Sequence, residues 1–414
     1  MASGSYIDIE AADGGRLRAY LAQPAQGSGP GLVLVHEILG INDFMRAMAD
    51  RYAEEGYVCL VPDLFWRLEA AVDLGYSESE LERGAVLRAR FDVEQGVRDV
   101  DATLNALRAL PAQRGKVGVV GWSMGGLIAS LAAARLEFDC AVSYYAVGLD
   151  KHLEEIARIA CPILFQVGDA DTKVTAAARD ALARVVGEHT QLALQIYPGC
   201  RHAFANPARP SYDKPAAMMA YSRSIAWLRR TLGPLYDLSR LWDAHTLHEF
   251  GSRDVDATMA TMVDEPYVNH VPTMTGGVGH EQLQRFYKYH FVNSNPPDTR
   301  LIPVSRTVGA DRLVDEMVFC FTHTCEIPWM LPGLAPSGRY VEIPLVAIVN
   351  FRGAKLYHEH IYWDQASVLV QIGALDPGGL PVAGIATAQK LVDEHLPSNE
   401  LMGEGWKKSE GLAL

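Results

Sequence analysis

No segment constrains this chain more than Gly121-Trp122-Ser123-Met124-Gly125-Gly126, which follows an apolar run at 117–120 and precedes a helical run at 127–134. A chain that passes from strand to helix in so few residues must reverse sharply, and small residues on both sides of the apex allow it to do so. The apex residue, Ser123, then presents its hydroxyl to solvent. The helix that follows points its first amides at any negative charge that develops there. Such turns occur at the carboxyl edge of open, mostly parallel sheets, and the flanking sequence has that pattern. Strand-like runs at 32–36, 58–61, 117–120, 141–145, 163–167 and 192–197 alternate with helical stretches such as 43–55, 94–110 and 175–186. Val97, Val100, Leu104 and Leu107 recur at helical spacing and form one apolar stripe. Two earlier runs, 6–10 and 17–21, flank Asp13-Gly14-Gly15 and read as an antiparallel hairpin. The fold class expected of this half is α/β.

A serine hydroxyl is a weak nucleophile until a base removes its proton, so a catalytic role for Ser123 requires a histidine and an acid farther along the chain. Asp171 stands in Val167-Gly168-Asp169-Ala170-Asp171 and His202 in Tyr197-Pro198-Gly199-Cys200-Arg201-His202, each just past a strand-like run. The order Ser, Asp, His suits acyl transfer on such a sheet. Asp169 is the rival acid, with turn formation as its structural alternative. Met124 and Ile38 are the expected backbone donors to an oxyanion. Glu37, Trp122 and Asn206 are the expected substrate-contacting side chains, with bracing of its loop through hydrogen bonds the alternative for Glu37. His36 and His152 read as structural or surface groups, His152 at the start of a helix. The span 65–87 is expected to be a loop that shapes selectivity.

At 414 residues the chain is long enough for two domains. A helix expected over 216–232 ends at Gly233-Pro234, and the expected organisation is a domain at 1–233, a second at 240–376 and a tail at 377–414. In the second domain a helical segment at 241–261, a loop and a helix near 280–289 precede strand-like runs at 313–324, 340–351 and 355–363. With no helices between those runs, the expectation is an α+β domain with an antiparallel sheet. One helix, 386–395, is expected in a tail that wraps onto a neighbour.

The net charge of −13 repels phosphate backbones and anionic bilayers, so neither nucleic acid nor membrane is an expected partner. With no basic leader and no long apolar run, the expected location is the cytoplasm. Cys59, Cys140, Cys161, Cys200, Cys320 and Cys325 lack paired spacings and read as reduced core residues. No cofactor is expected. His358-Glu359-His360 lacks the helical histidine pair of a zincin, so no metal is expected either.

The stretch from Tyr6 to Leu232 resembles the dienelactone hydrolase family of α/β-hydrolases. The resemblance rests on His36-Glu37-Ile38-Leu39-Gly40-Ile41-Asn42, on Phe91-Asp92 and Asp99-Val100-Asp101-Ala102, and on the Ser123, Asp171 and His202 segments. It implies hydrolysis of a small-molecule carboxylic ester or lactone. In that family the apex usually carries cysteine, and a glutamate matching Glu37 helps form the thiolate. Serine at position 123 departs from the pattern and leaves His202 as the base at the moment of attack. Family members that act on dienelactone carry an arginine where Asn206 stands, so the expected substrate here is a neutral ester or lactone.

The stretch from Leu241 to Leu375 resembles the SnoaL-like branch of the nuclear-transport-factor-2-like superfamily, on Asp254-Val255-Asp256-Ala257, Tyr267-Val268-Asn269-His270 and His358 to Gln365. That implies a curved sheet around a conical pocket and pairing into a homodimer. Alternation along 357–364 puts His358, His360, Tyr362 and Asp364 on one face and Tyr357, Glu359, Ile361 and Trp363 on the other. His270, His323, Glu359 and Asp364 are the polar candidates for the pocket. Three roles for this domain remain open: dimerisation or substrate access, separate cyclase or isomerase chemistry, and ligand sensing.

Overall fold

A computed structural model describes residues 4–413, in two compact units that divide between Tyr236 and Asp237. The first unit is an eight-stranded sheet in the order β1-β2-β4-β3-β5-β6-β7-β8. Its strands are β1 (Ser5–Glu10), β2 (Arg16–Ala22), β3 (Gly29–Val35), β4 (Val58–Pro62), β5 (Gln113–Trp122), β6 (Cys140–Tyr144), β7 (Ile163–Gly168) and β8 (Leu192–Tyr197). β1 and β2 form the antiparallel hairpin, β2 runs antiparallel to β4, and every later pairing is parallel. The helices are α1 (Asp43–Glu54), α2 (Glu78–Arg90), α3 (Val93–Ala109), α4 (Met124–Arg135), α5 (Leu153–Ile156), α6 (Ala176–Gly187) and α7 (Lys214–Leu232). The longer ones other than α4 start where a short polar side chain can satisfy free amides, as Asn42, Asp92, Thr175 and Asp213 do. Val97, Val100, Leu104 and Leu107 of α3 are buried in the main core, with Val33, Leu60, Val119 and Phe165 of the sheet.

α2 corrects the expectation of a loop across 65–87. It begins at a reciprocal cap in which Ser77 and Glu80 satisfy each other's backbone amides, a signal present in Ser77-Glu78-Ser79-Glu80. Its buried residues are few, Gly84 and Leu87, so the apolar periodicity is faint.

The second unit holds helix α8 (Leu238–Thr246), which runs into a π-helical turn (Leu247–Gly251), and helix α9 (Val255–Ala260). The single helix expected over 241–261 is thus broken near Ser252. Then come β9 (Met262–His270), β10 (Thr275–Val278), α10 (His280–Phe286) with a second π-helical turn (Tyr287–Phe291), β11 (Arg300–Val308), β12 (Arg312–Thr322), β13 (Tyr340–Arg352), β14 (Lys355–Trp363), α11 (Gln365–Ile372) and α12 (Ala386–Val392). The sheet order is β10-β9-β14-β13-β12-β11. β9 and β14 pair in parallel, which corrects the purely antiparallel expectation. β9, β10 and β11 escaped the sequence reading because their apolar residues are sparse and interrupted by Pro266, Gly276, Gly277 and Pro303. Ala388 of α12 packs with Val318 and Cys320 of this unit's own sheet. The tail helix therefore covers its own chain.

Among the described residues no helix is long and apolar enough to cross a membrane. One ionic contact pins α7 of the first unit. Glu55, fully buried after α1, meets Arg229 Nη2 at 2.5 Å and accepts from the Tyr221 hydroxyl at 3.0 Å. Removing only the arginine strands a buried carboxylate, so Arg229→Met should cost about 3–5 kcal/mol in urea unfolding, whereas Glu55→Leu with Arg229→Met should recover most of it. Equal destabilisation by the single and double variants would contradict this reading.

Candidate functional site

β5 ends at Trp122 and α4 begins at Met124, so Ser123 alone makes the turn, with φ 55° and ψ −114°. A left-handed φ on a non-glycine residue costs energy that the surroundings must compensate. The Ser123 amide donates to Tyr144 O at 2.9 Å, anchoring the turn to β6. The two flanking glycines are required by close approach of backbone. A Cβ on Gly121 would lie 2.0 Å from Gly125 O, and one on Gly125 would lie 2.1 Å from Val35 O.

The Ser123 hydroxyl lies 3.0 Å from His202 Nε2, and His202 Nδ1 lies 2.8 Å from Asp171 Oδ2. Asp171 follows β7, and its other carboxylate oxygen accepts from the amides of Lys173 (2.7 Å) and Val174 (3.2 Å). The carboxyl group is thereby fixed, and it is buried. Asp169 is exposed and accepts from the Gly199 amide at 2.6 Å. It braces the turn after β8 that carries His202. The loop also holds its shape through Ser211, whose hydroxyl donates to His202 O at 2.5 Å.

Ser123, Met124, Glu37, Ile38, His202, Arg88, Lys173 and Arg209 share one cleft of about 390 Å³. That size suits a small organic ligand. As the first residue of α4, Met124 has an amide with no partner in the helix. Ile38 stands across the cleft after β3.

Two of the expected substrate contacts are not brought into the cleft. Trp122 is buried, stacked on Tyr144 at 5.4 Å and edge-on to Phe44. Asn206 is also fully buried; its Nδ2 donates to Glu37 Oε2 (3.2 Å) and to the Tyr76 hydroxyl (3.0 Å), and its Oδ1 accepts from Ala208 N. It holds Glu37 in place. The expected structural role of His36 agrees with its contacts. Burial pulls its pKa down to about 4, its Nε2 accepts from Leu64 N at 3.0 Å and its Nδ1 faces Glu37 O.

Residues 17–232, just over half the chain, match the sequence profile of the dienelactone hydrolase family. The chain is 36% identical over 229 residues to carboxymethylenebutenolidase 1 of Cupriavidus pinatubonensis, covering 55% of this chain and 97% of that protein. It is 34% identical over 223 residues to the carboxymethylenebutenolidase of Pseudomonas putida, covering 54% and 94%. The chain belongs to the dienelactone hydrolase family. It is accordingly a hydrolase of the lactone and ester class.

What the sequence reading missed in this dienelactone hydrolase cleft are its cations. Arg88 comes from the unforeseen α2, and Lys173 and Arg209 lie just beyond the Asp171 and His202 motifs. The fold gathers them; no local spacing does.

The second unit has its own cavity, of about 40 Å³, bordered by Trp242, Glu249, His270, Tyr287, Phe319 and Glu359 among others. Of the four polar candidates there, His270 and Glu359 line it, whereas His323 and Asp364 do not. His323 pairs with Ser337, and Asp364 caps α11 through Ala366 N and Ser367 N. Burial lowers the His270 pKa to about 4, so the ring is neutral there. The same effect pushes Glu359 up, against the pull of His245.

Glu37 is buried, and desolvation raises its carboxyl pKa despite the opposing pull of His202, Arg209 and Asn206. A carboxyl raised in the folded state keeps a proton that the unfolded chain has lost, so its contribution falls as pH climbs above the ordinary 4.5. Glu37→Gln should therefore melt at a higher temperature than the parent at about pH 8, with the gap closing toward about pH 4. A gap that stays constant across the series would contradict a raised Glu37.

Proposed function

We propose that this chain is a serine hydrolase that opens a lactone or cleaves an ester through an acyl-enzyme on Ser123. The observation that carries the reading is the run of contacts from Ser123 Oγ through His202 to Asp171, at 3.0 and 2.8 Å, at the wall of the cleft. In this reading His202 Nε2 takes the hydroxyl proton as Oγ attacks the carbonyl. Asp171, held by two backbone amides, fixes the ring with Nδ1 protonated and stabilises the imidazolium that forms. The Met124 and Ile38 amides receive the oxyanion. The C–O bond of the leaving alkoxide then breaks, and His202 returns the proton to it. Water deacylates Ser123 by the same steps in reverse.

Glu37 does not serve as the base for serine in this scheme. It is His202 Nε2 that lies 3.0 Å from the Ser123 hydroxyl, whereas the Glu37 carboxyl accepts from Asn206. It lies beside Arg209 and His202 and is held by Asn206, which fits a role in placing those two side chains.

The substrate we assign carries a carboxylate, in contrast to the neutral one expected from Asn206. Three cations border the cleft, and no acidic partner of Arg88 or Lys173 is found among the described residues. Arg209 lines the cleft, and its Nε is buried without a hydrogen-bond partner. An anionic acyl group in the cleft would meet these three cations.

For the second domain, which we place at 240–376, we propose pairing of two copies of the chain. The support is the face of β13 and β14 opposite the cavity, where Pro344, Val346 and Ile348 are half-buried and Tyr362 is 41% exposed. The alternating pattern of the SnoaL-like resemblance fits this use. Sedimentation velocity should give a dimer for the full chain and a shift toward monomer for Val346→Asp with Ile348→Lys. A monomeric parent protein would contradict the assignment.

Ser123→Ala should lower kcat/KM on an activated ester by ~10⁴-fold or more, and Asp171→Asn by a comparable factor, while Asp169→Asn should act mainly on stability. If Asp169→Asn proves the more damaging to kcat, the acid has been misassigned. Arg209→Leu should raise KM for a carboxylate-bearing ester by ~10–100-fold and leave its neutral counterpart nearly unchanged. Equal losses on both substrates would argue for a structural Arg209.

A further inference from the structure

Outside the cleft, one group of buried titratable side chains has no part in the chemistry above: His245 on α8, Glu249 on the π-helical turn that extends it, and Glu359 on β14. One ligand atom from each lies within 4.8 Å of the other two. All three residues are at least nine-tenths buried, with exposures of 0%, 4% and 2%. Glu249 and Glu359 also border the small cavity of the second unit, whose lining contains no lysine or arginine.

The hydrogen bonds fix which atom of His245 faces the two acids. The Thr261 hydroxyl gives its proton to Thr258 O at 2.6 Å, so its oxygen accepts from His245 Nδ1–H at 2.6 Å. Nε2 of the neutral ring then carries the lone pair. It points between Glu249 Oε1 at 3.1 Å and Glu359 Oε1 at 3.3 Å. Glu359 Oε1 is buried and makes no hydrogen bond. Three electron-rich atoms thus converge on one point, and one of them, Glu359 Oε1, is buried with no hydrogen bond.

A tetrahedral zinc ion bound at roughly 2.0–2.1 Å sets its ligand atoms about 3.3–3.4 Å apart. The two separations from His245 Nε2 come within a few tenths of an ångström of that. Two carboxylates and a neutral imidazole carry a charge of −2, which a divalent cation cancels with no other buried counter-charge required. The Thr261 hydroxyl on Nδ1 is the outer contact that commonly orients a ligating histidine. π-Helical turns concentrate at functional sites, and here two of them supply Glu249 and Tyr287.

We propose that His245 Nε2, Glu249 and Glu359 bind a divalent transition-metal ion of the zinc class, with its remaining coordination position open to the cavity. Glu359 stands more than a hundred residues beyond His245 and Glu249, so the spacing around His358-Glu359-His360 gave no sign of them. The cavity of about 40 Å³ has room for water or a small oxygen donor as the fourth ligand.

The test uses the full-length chain, stripped with chelator, dialysed and titrated calorimetrically with Zn²⁺ at neutral pH. One strong site per chain is expected, with unchanged affinity in Ser123→Ala. Glu249→Gln and Glu359→Gln keep the side-chain shape and should each weaken Zn²⁺ by ~100-fold or more, the cost of losing a ligand exceeding that of an outer contact. Co²⁺ in place of Zn²⁺ should give the visible absorption of a four-coordinate site, absent in both variants. Circular dichroism checks that the variants are folded; should one not be, the other carries the comparison. Absence of a stoichiometric site in the parent chain, or binding undiminished in a folded glutamine variant, would overturn the proposal. Neither result bears on Ser123, whose chemistry is measured separately.

Discussion

The reversal at Ser123 is the constraint on which the rest of the cleft depends. Its φ of 55° is tolerated only because the Ser123 amide is tied to Tyr144 O and because Gly121 and Gly125 let β5, α4 and the end of β3 approach within backbone contact. That approach places the first amide of α4 opposite Ile38, on the segment that leaves β3. It also fixes the direction of the hydroxyl, so that a histidine delivered by the loop after β8 meets it at 3.0 Å. Loosening the turn would move the hydroxyl and the oxyanion donors together.

A second layer of constraint is electrostatic. The cleft combines a buried carboxyl at Glu37 with cations at Arg88, Lys173 and Arg209, and burial decides how each behaves. Desolvation raises Glu37 and, on the cation side, lowers Arg88. Asn206 and Tyr76 hold the glutamate without adding charge. Asn206, expected against substrate, thus acts one step back, through the Glu37 side chain it orients.

Much of the first unit was legible because its signals are local. Each strand is an apolar run that ends in a loop, and Asp171 and His202 could be found because both follow such runs directly. The choice between Asp171 and Asp169 was harder, since both stand in one loop, and the geometry separates them by what each carboxylate accepts: His202 for one, the Gly199 amide for the other. Helix α2 was missed because it buries little, although its Ser77–Glu80 cap was there to be read. In the second unit the parallel pairing of β9 with β14 joins segments about ninety residues apart, and no periodicity announces it. His245 and Glu249 share a helical i, i+4 spacing, but the sequence does not show that Glu359 stands across from them.

The reading of the cleft turns on whether Ser123 becomes covalently acylated. Rapid mixing of the full-length chain with a chromogenic ester, followed by acid quench and peptide mass spectrometry, measures this directly. The expected result is a burst of product equal to the enzyme present, with an acyl group on the peptide that carries Ser123 and on no other. A linear time course without a burst, together with no acylated peptide at any quench time, would contradict a serine acyl-enzyme.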